Sequence, residues 1–183
     1  METTTPVLKK SQSLLLLLMT LLAPRLIYAQ TTNGPNLAET LIWMQNFAKA
    51  HSYWATEKSK DNPNGVDSTR LSFNKCEVVQ TLFDGFKSLG DTRYSLADID
   101  PQTIKSDKLK GSEGGVSFET TNSQDLIGIN VPVAWGGSIQ EYCKHQTCTS
   151  SWRINFDTEE NAKRFATAFR NAVSLCGGKH STF

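Results

Sequence analysis

The chain has 183 residues with 19 basic and 18 acidic side chains, and its formal net charge is +1. A chain so close to neutral lacks the basic surface with which proteins hold nucleic acid or anionic lipid, so we expect neither as a partner. Its length and its hydrophobic content of 38% predict a single globular core that folds without a metal.

Residues 1–29 have the three parts of a secretory signal peptide. Lys9 and Lys10 supply the positive charge, residues 13–22 form a leucine-rich apolar segment, and cleavage is predicted after Ala29. The apolar segment has about half the length of a membrane-spanning helix, and an uncleaved anchor is the alternative. We therefore expect an extracytoplasmic protein, periplasmic or secreted, without membrane contact after cleavage.

The mature chain begins with residues 30–35, which are polar and predict a flexible N-terminus, and continues as one domain over residues 36–183. A helix is predicted from Asn36 to about His51, because Asn36 and Glu39 have the spacing of a capping box. The apolar side chains of this helix form two adjacent stripes. They favour packing on a sheet, with a partner-binding helix as the alternative.

The middle of the chain reads as short strands separated by turns. Loops are predicted over residues 57–69 and 105–115, and turns at residues 84–85 and 90–91. Six segments have the alternation or the β-branched content of strands: Arg70–Phe83, Tyr94–Ile99, Val116–Thr120, Leu126–Val131, Ile139–Tyr142 and Trp152–Phe156.

The last predicted element is an amphipathic helix over Asp157–Cys176. Its apolar residues recur every three or four positions: Ala162, Phe165, Ala166, Phe169, Ala172, Val173 and Cys176. Asp157 and Glu160 have the spacing of a capping box, and Gly177 supplies the left-handed residue that ends a helix. We expect this helix to cover the sheet.

This order of elements resembles the pleckstrin-homology-like superfold, in which curved antiparallel strands are followed by a C-terminal helix that plugs one end. The resemblance covers about Arg70–Cys176 and implies an α+β fold, a small antiparallel β-barrel or sandwich with an N-terminal helix and a C-terminal capping helix. Residues 98–101 and 175–179 are also similar to segments of uncharacterised exported bacterial proteins. The N-terminal helix and the missing basic strand–loop depart from the superfold, so phosphoinositide binding is not implied.

Four cysteines in an exported chain favour disulfides over metal ligands or free thiols. Of the three possible pairings we favour Cys143–Cys148, which closes a tight loop, together with Cys76–Cys176, which joins the first long strand to the end of the last helix. A zinc site that uses Cys143, His145 and Cys148 is the alternative.

No catalytic, cofactor-binding or metal-binding residue is assigned, because the nucleophile elbow, the zinc-protease helix and the phosphate-binding glycine loops are all missing from the sequence. Asp98 and Asp100 would be the acids of a small extracytoplasmic hydrolase, although two acids at a strand end are commonly turn formers. His51, His145 and His180 are interpreted as solvated side chains.

A binding surface is predicted around Trp135, Tyr142 and His145, because exposed aromatic residues on a braced loop hold peptides or sugars. Trp135 as a plug of one barrel end is the alternative. The prediction is an exported, disulfide-stabilised binding or interaction module for an unknown protein, peptide or glycan, with no cofactor. The alternatives are the hydrolase and a structural envelope component, and the oligomeric state is left open.

Overall fold

The computed structural model describes residues 34–55, 66–84, 87–132 and 134–181. These residues belong almost entirely to the unit Pro35–Phe183. The predicted signal peptide, and all but the end of the predicted flexible N-terminus, lie outside the described residues. No helix within the described ranges is long and apolar enough to span a bilayer.

The first helix, α1, covers Leu37–His51 and begins where the sequence predicts. The Asn36 side chain accepts a hydrogen bond from the Glu39 backbone N–H at 3.0 Å, and the Glu39 carboxylate accepts one from the Asn36 N–H at 3.1 Å. The capping box is therefore complete.

Among the described residues, nine strands form one sheet in the order β5-β6-β9-β1-β2-β3-β4-β7-β8, and every neighbouring pair is antiparallel. The strands are β1 Ser52–Ala55, β2 Val66–Asn74, β3 Glu77–Asp84, β4 Lys87–Ser95, β5 Lys105–Lys108, β6 Gly114–Glu119, β7 Ile127–Val131, β8 Cys148–Thr149 and β9 Ser151–Phe156. Two further helices complete the described chain, α2 over Ile139–Cys143 and α3 over Glu159–Leu175. The predicted mixture of helix and antiparallel sheet is confirmed.

The sheet is strongly curled. Four strands separate β6 from β4 in the sheet order, yet the rings of Phe118 and Tyr94 on these strands lie 5.1 Å apart. In a flat sheet strands at that separation would be roughly 24 Å apart. An isolated bridge between Ile99 and Thr120 joins the chain beyond the ends of the same two strands. The curl creates a concave face that must be filled by apolar side chains.

The last helix, α3, fills this concave face with the side chains that the sequence predicts. Phe165 packs 4.8 Å from Phe156 of β9, and Phe169 packs 4.9 Å from Phe118 of β6, measured between ring centroids. The six buried residues of α3 are Ala162, Phe165, Ala166, Phe169, Ala172 and Val173. The predicted role of α3 as the cover of the sheet is confirmed.

The N-terminal end of α3 differs from the prediction, whereas its C-terminal end agrees with it. Thr158, not Asp157, is the N-cap, and its hydroxyl accepts from the Asn161 N–H at 3.1 Å, because Asp157 is turned toward His51. Gly177 has φ +82°, as predicted for the residue that ends the helix.

Several predicted strand boundaries are wrong for local reasons. The single strand Arg70–Phe83 is the hairpin β2–β3, with Lys75 at φ +54° in its turn. The predicted strand Ile139–Tyr142 is helix α2, because the Ser138 hydroxyl caps the Glu141 N–H at 3.2 Å. The predicted loop 105–115 contains β5 and the start of β6.

The region after β3 also departs from the prediction. Residues 90–91 lie inside β4, where the pairing with β3 and β7 is irregular, instead of forming a turn. The strand predicted over Tyr94–Ile99 ends at Ser95 and continues as one turn of 3₁₀ helix.

Both favoured disulfides are present. Cys76–Cys176 has a Cα–Cα distance of 5.8 Å and Cys143–Cys148 one of 5.6 Å. Cys76 lies in the β2–β3 turn, so the long-range bond ties this turn to the C-cap of α3. The sulfurs of Cys143 and Cys148 are bonded to each other, which argues against their use as zinc ligands.

We expect the two disulfides to contribute unequally to stability. Cys76 and Cys176 are 100 residues apart, whereas Cys143 and Cys148 are 5 apart. Replacing both cysteines by alanine should lower the free energy of unfolding by about 5 kcal/mol for the first pair and about 2 kcal/mol for the second on the loop-entropy model. Urea unfolding followed by tryptophan fluorescence measures both losses. A larger loss for the short loop would contradict the expectation.

Candidate functional site

The predicted surface around Trp135 and Tyr142 is a second, small core on the outer face of β7. A Cβ atom at Gly128 would lie 2.5 Å from Ile139 Cδ1 and 3.1 Å from Tyr142 Cδ1, so α2 packs directly on this glycine. Tyr142 is only 7% exposed, and the Trp135 ring meets it edge-on at 5.4 Å. The two aromatic side chains thus contact each other and cover the outer face of β7.

His145, the third predicted residue of that surface, is exposed on the loop closed by Cys143–Cys148. Its Nε2 lies 3.6 Å from the Glu141 carboxylate, which also accepts from Lys144 Nζ at 2.7 Å. His145 therefore belongs to an exposed charged group at the end of α2 and not to the packed aromatic pair.

A buried ion pair on β4 connects the loop that carries Trp135 to the sheet. Asp91 is 5% exposed and accepts from the Thr81 hydroxyl at 2.7 Å. Arg93 reaches Asp91 at 3.4 Å and donates to the Trp135 carbonyl oxygen at 2.9 Å. The sequence prediction placed Asp91 in a turn and so missed this arrangement.

Asp98 and Asp100 do not converge on one point. Asp100 is 2% exposed and accepts from the backbone N–H groups of Gln102 at 2.9 Å and Ser181 at 2.8 Å. Asp98 accepts from the Gln140 side chain at 2.8 Å. One carboxylate holds the C-terminal tail and the other contacts α2, so each has a separate structural role.

The pKa values of these acids follow from the contacts. Burial raises the pKa of Asp100, but the hydrogen bonds from Ser181 and Gln102 outweigh it and leave the value below the ordinary one. Burial raises the pKa of Asp98, and the hydrogen bond from Gln140 offsets only part of the increase.

The histidine at the end of α1 is not simply solvated. His51 Nδ1 lies 3.0 Å from the Asp157 carboxylate and 3.0 Å from Asn161 Nδ2. Asn161 Nδ2 also donates to Asp157 at 2.8 Å. The three side chains join the end of α1 to the start of α3.

The outer face of β5, β6 and β9 carries a depression of about 560 Å³, which we call the edge depression. It is lined by Thr103, Lys105, Ser117, Phe118, Glu119, Ser151, Trp152 and Arg153. The pairing register creates it, because residues directly opposite each other on antiparallel strands point to the same face.

We call a row of directly opposite residues on β5, β6 and β9 a rung. Two neighbouring rungs supply the polar groups of the edge depression. Lys105 is opposite Ser117, and Ser117 is opposite Arg153, so two cations flank one hydroxyl. Glu119 is opposite Ser151 two residues further along. Successive residues on one face of a strand are about 7 Å apart, so the cationic and anionic rungs have that separation.

Much of the polar capacity of the edge depression is unused within the part of the chain that the structure describes. Lys105 and Glu119 have no ion-pair partner there, and the Ser151 hydroxyl has no hydrogen-bond partner there. Arg153 lies 3.4 Å from the Asp107 carboxylate, with both side chains half exposed. Lys105, Glu119 and Ser151 are therefore open to a ligand, whereas Arg153 and the Ser117 hydroxyl, which donates to Asp107 at 3.2 Å, must first leave the Asp107 carboxylate.

Two features fix the shape of the edge depression. A Cβ atom at Gly115 would lie 3.2 Å from Arg153 Cδ, so this glycine leaves room for the arginine stem on β6. Trp152 Nε1 donates to Gln80 Oε1 at 2.9 Å across the concave face. The indole therefore anchors β9 from the inside, while the neighbouring Ser151 and Arg153 belong to the outer face.

No pattern in the sequence predicts the edge depression. Lys105 belongs to a segment predicted as a loop, and Ser117 and Arg153 are brought to it only by pairing between distant segments. A strand prediction for residues 105–108 together with the register of β9 would have been needed to find it.

No protein-family model, curated protein or solved structure is significantly similar to this chain. The function is therefore inferred from the geometry and chemistry of the chain itself.

Asp100 provides a test of the separate structural roles. Asp100→Asn keeps one acceptor oxygen but leaves one of the two N–H donors without its partner, and we expect a loss of about 1–3 kcal/mol at neutral pH. Because the folded-state pKa is lower than the unfolded value, the stability that the carboxylate contributes is complete above the ordinary value of 3.8. It is lost as the pH falls through the folded pKa.

The difference between wild type and Asp100→Asn should therefore shrink as the pH falls below about 4 and vanish below the folded-state pKa, where the carboxyl is neutral in both states. Urea unfolding over a series of pH values measures it. Asp125→Asn at an exposed position is the matched control and should change stability little. A gap that is the same at every pH would contradict the role assigned to Asp100.

Proposed function

We propose that this protein is an exported binding module that holds a short peptide with free termini in the edge depression. The observation that carries the proposal is the pair of rungs with opposite charge about 7 Å apart. Two extended residues span about 7 Å, so the ends of a dipeptide match the two rungs.

In this arrangement the ligand carboxylate lies between Lys105 and Arg153, and the Ser117 hydroxyl is beside it. The ligand ammonium group lies against Glu119 and the Ser151 hydroxyl. The main chain of the ligand lies along the outer face of β6, within the 560 Å³ that the depression offers.

The expected affinity is weak. The charged side chains are exposed, and ion pairs at exposed positions contribute roughly 1 kcal/mol or less each. Arg153 and Ser117 must also exchange their contacts with the Asp107 carboxylate for contacts with the ligand. We therefore expect a dissociation constant on the order of 1–10 mM, as in a module that samples abundant small peptides.

Peptide is the partner class that the charges favour among the protein, peptide and glycan partners that the sequence left open. A neutral glycan satisfies hydroxyl groups such as that of Ser151 but leaves Lys105 and Glu119 without countercharges. A peptide with both termini free satisfies each of them.

The extracytoplasmic location is part of the proposal. It is supported by the leader composition of residues 1–29 and by two disulfides, which are characteristic of oxidising compartments. We also propose a relationship to the pleckstrin-homology-like superfold. The curled antiparallel sheet with a C-terminal helix supports it.

The proposal predicts that binding depends on both ligand termini. Alanylalanine should bind in a titration calorimeter, and N-acetylation or C-amidation should each weaken binding about fivefold, the equivalent of about 1 kcal/mol. In the variant Lys105→Ala with Arg153→Ala, binding should be weak and C-amidation should have no further effect, because the carboxylate has lost its partners.

Lys108→Ala is the matched control, since Lys108 lies on the same strand but on the opposite face from Lys105. It should bind the dipeptide like the wild type. Equal heats for the free and the blocked dipeptides would rule out recognition of the termini. An equal loss in Lys108→Ala would show that only general positive charge matters.

A further inference from the structure

A second concave surface lies between the outer sides of α1 and α3, and we call it the helix groove. The two helices run antiparallel, since Asn171 Nδ2 donates to Thr40 Oγ1 at 3.3 Å and the Arg164 guanidinium lies 5.1 Å from the centre of the Phe47 ring. The groove has a volume of about 870 Å³ and is lined by Pro35, Glu39, Thr40, Trp43, Arg164, Thr167, Ala168 and Asn171.

The middle of the helix groove is apolar and has a defined shape. The antiparallel register puts Trp43 of α1 level with Ala168 of α3. Trp43 is 37% exposed and stacks on Phe47 with ring centroids 4.5 Å apart, so its position is fixed. The large Trp43 ring therefore projects beside the small Ala168 side chain. Such a ridge next to a groove is typical of a surface that packs against another helix.

The two ends of the helix groove carry opposite charges. Glu39 lies near the level of Asn171, and Arg164 lies at the level of Phe47. The two groups are thus about two helical turns apart along α1, on the order of 12 Å. Trp43 lies midway between these levels.

Both charges are available to a partner. The Glu39 carboxylate is exposed and uses one oxygen to accept from the Asn36 N–H. Arg164 has no carboxylate within ion-pair distance among the residues that the structure describes. An unpaired cation beside an apolar surface favours an acidic group on whatever covers it.

We propose that a second copy of this chain covers the helix groove and that the protein is a twofold-symmetric dimer. A twofold axis that lies in the face, perpendicular to the line from Glu39 to Arg164 and through its midpoint, brings each of these groups next to the opposite charge on the other copy. The same axis passes close to Trp43, so the apolar centres meet. The face is therefore complementary to itself in both charge and polarity.

The dimer is tested with full-length mature protein by sedimentation equilibrium over a range of concentrations. Arg164→Glu and Glu39→Arg should each raise the dimer dissociation constant at least about tenfold, because each places two like charges in contact in two symmetric places. The double variant exchanges the charges and should recover the wild-type constant to within about threefold. Recovery of this kind is specific to contact between the two groups.

Two controls keep the test interpretable. Lys49→Glu makes the same change in net charge as Arg164→Glu on an exposed position of α1 outside the groove and should leave the constant unchanged. Glu39→Gln keeps an acceptor for the Asn36 N–H, so it separates loss of charge from loss of the helix cap. Circular dichroism melting shows that each variant is folded.

A wild-type protein that stays monomeric up to about 1 mM would overturn the proposal, and so would a double variant as weak as the single ones. If the monomer instead binds a foreign acidic peptide through Arg164, the groove is a site for another protein and the dimer is wrong. The peptide titrations of the edge depression are independent of these outcomes, since none of the substituted residues lines that depression.

Discussion

The structure depends on the burial of the apolar face of α3 against the concave side of one curled sheet. Phe165 contacts Phe156 of β9 and Phe169 contacts Phe118 of β6, so one helix packs on two neighbouring strands, and Phe118 in turn contacts Tyr94 of β4 across the curl. A buried phenylalanine contributes roughly 2–3 kcal/mol. Without α3 the concave face would expose a continuous apolar surface, and β6 and β9 would lose the support that fixes the outer rungs.

This constraint decides where function is possible. Because α3 and α1 pack on the concave side, apolar side chains of both helices fill it, and the edge depression and the helix groove lie outside this core. The sheet edge is also restricted. β5 is four residues long and carries Lys105 and Lys108, and charged, short edge strands resist further strand pairing. Binding by side chains on the outer face is therefore more compatible with this sheet than addition of a strand.

The sequence predicted two kinds of feature: those set by residues close together in the chain, and those with only a few possible outcomes. The capping box of Asn36 and Glu39 is a four-residue signal, the stripe of α3 is a periodic one, and four cysteines allow only three pairings. The errors arose where a local conformation or a distant partner decided the outcome. Lys75 adopts φ +54° in a turn, a conformation that a lysine in the sequence does not predict. Lys105 is in a strand only because Ser117 pairs with it. The edge depression depends wholly on such pairing, so it could not be found before the register was known.

Dimerisation through the helix groove is compatible with peptide binding in the edge depression. The helix groove is on the helical side of the domain, whereas the edge depression is on the outer face of the sheet, so a dimer formed through the helices leaves both depressions accessible. Each proposed peptide site alone is expected to bind weakly, because its charges are exposed. Two such sites on one rigid dimer raise the effective concentration for a second contact with any surface that displays many free peptide ends, and the gain in avidity can reach 10²–10⁴ without a new contact. Weak individual recognition and self-association are thus compatible parts of one binding module.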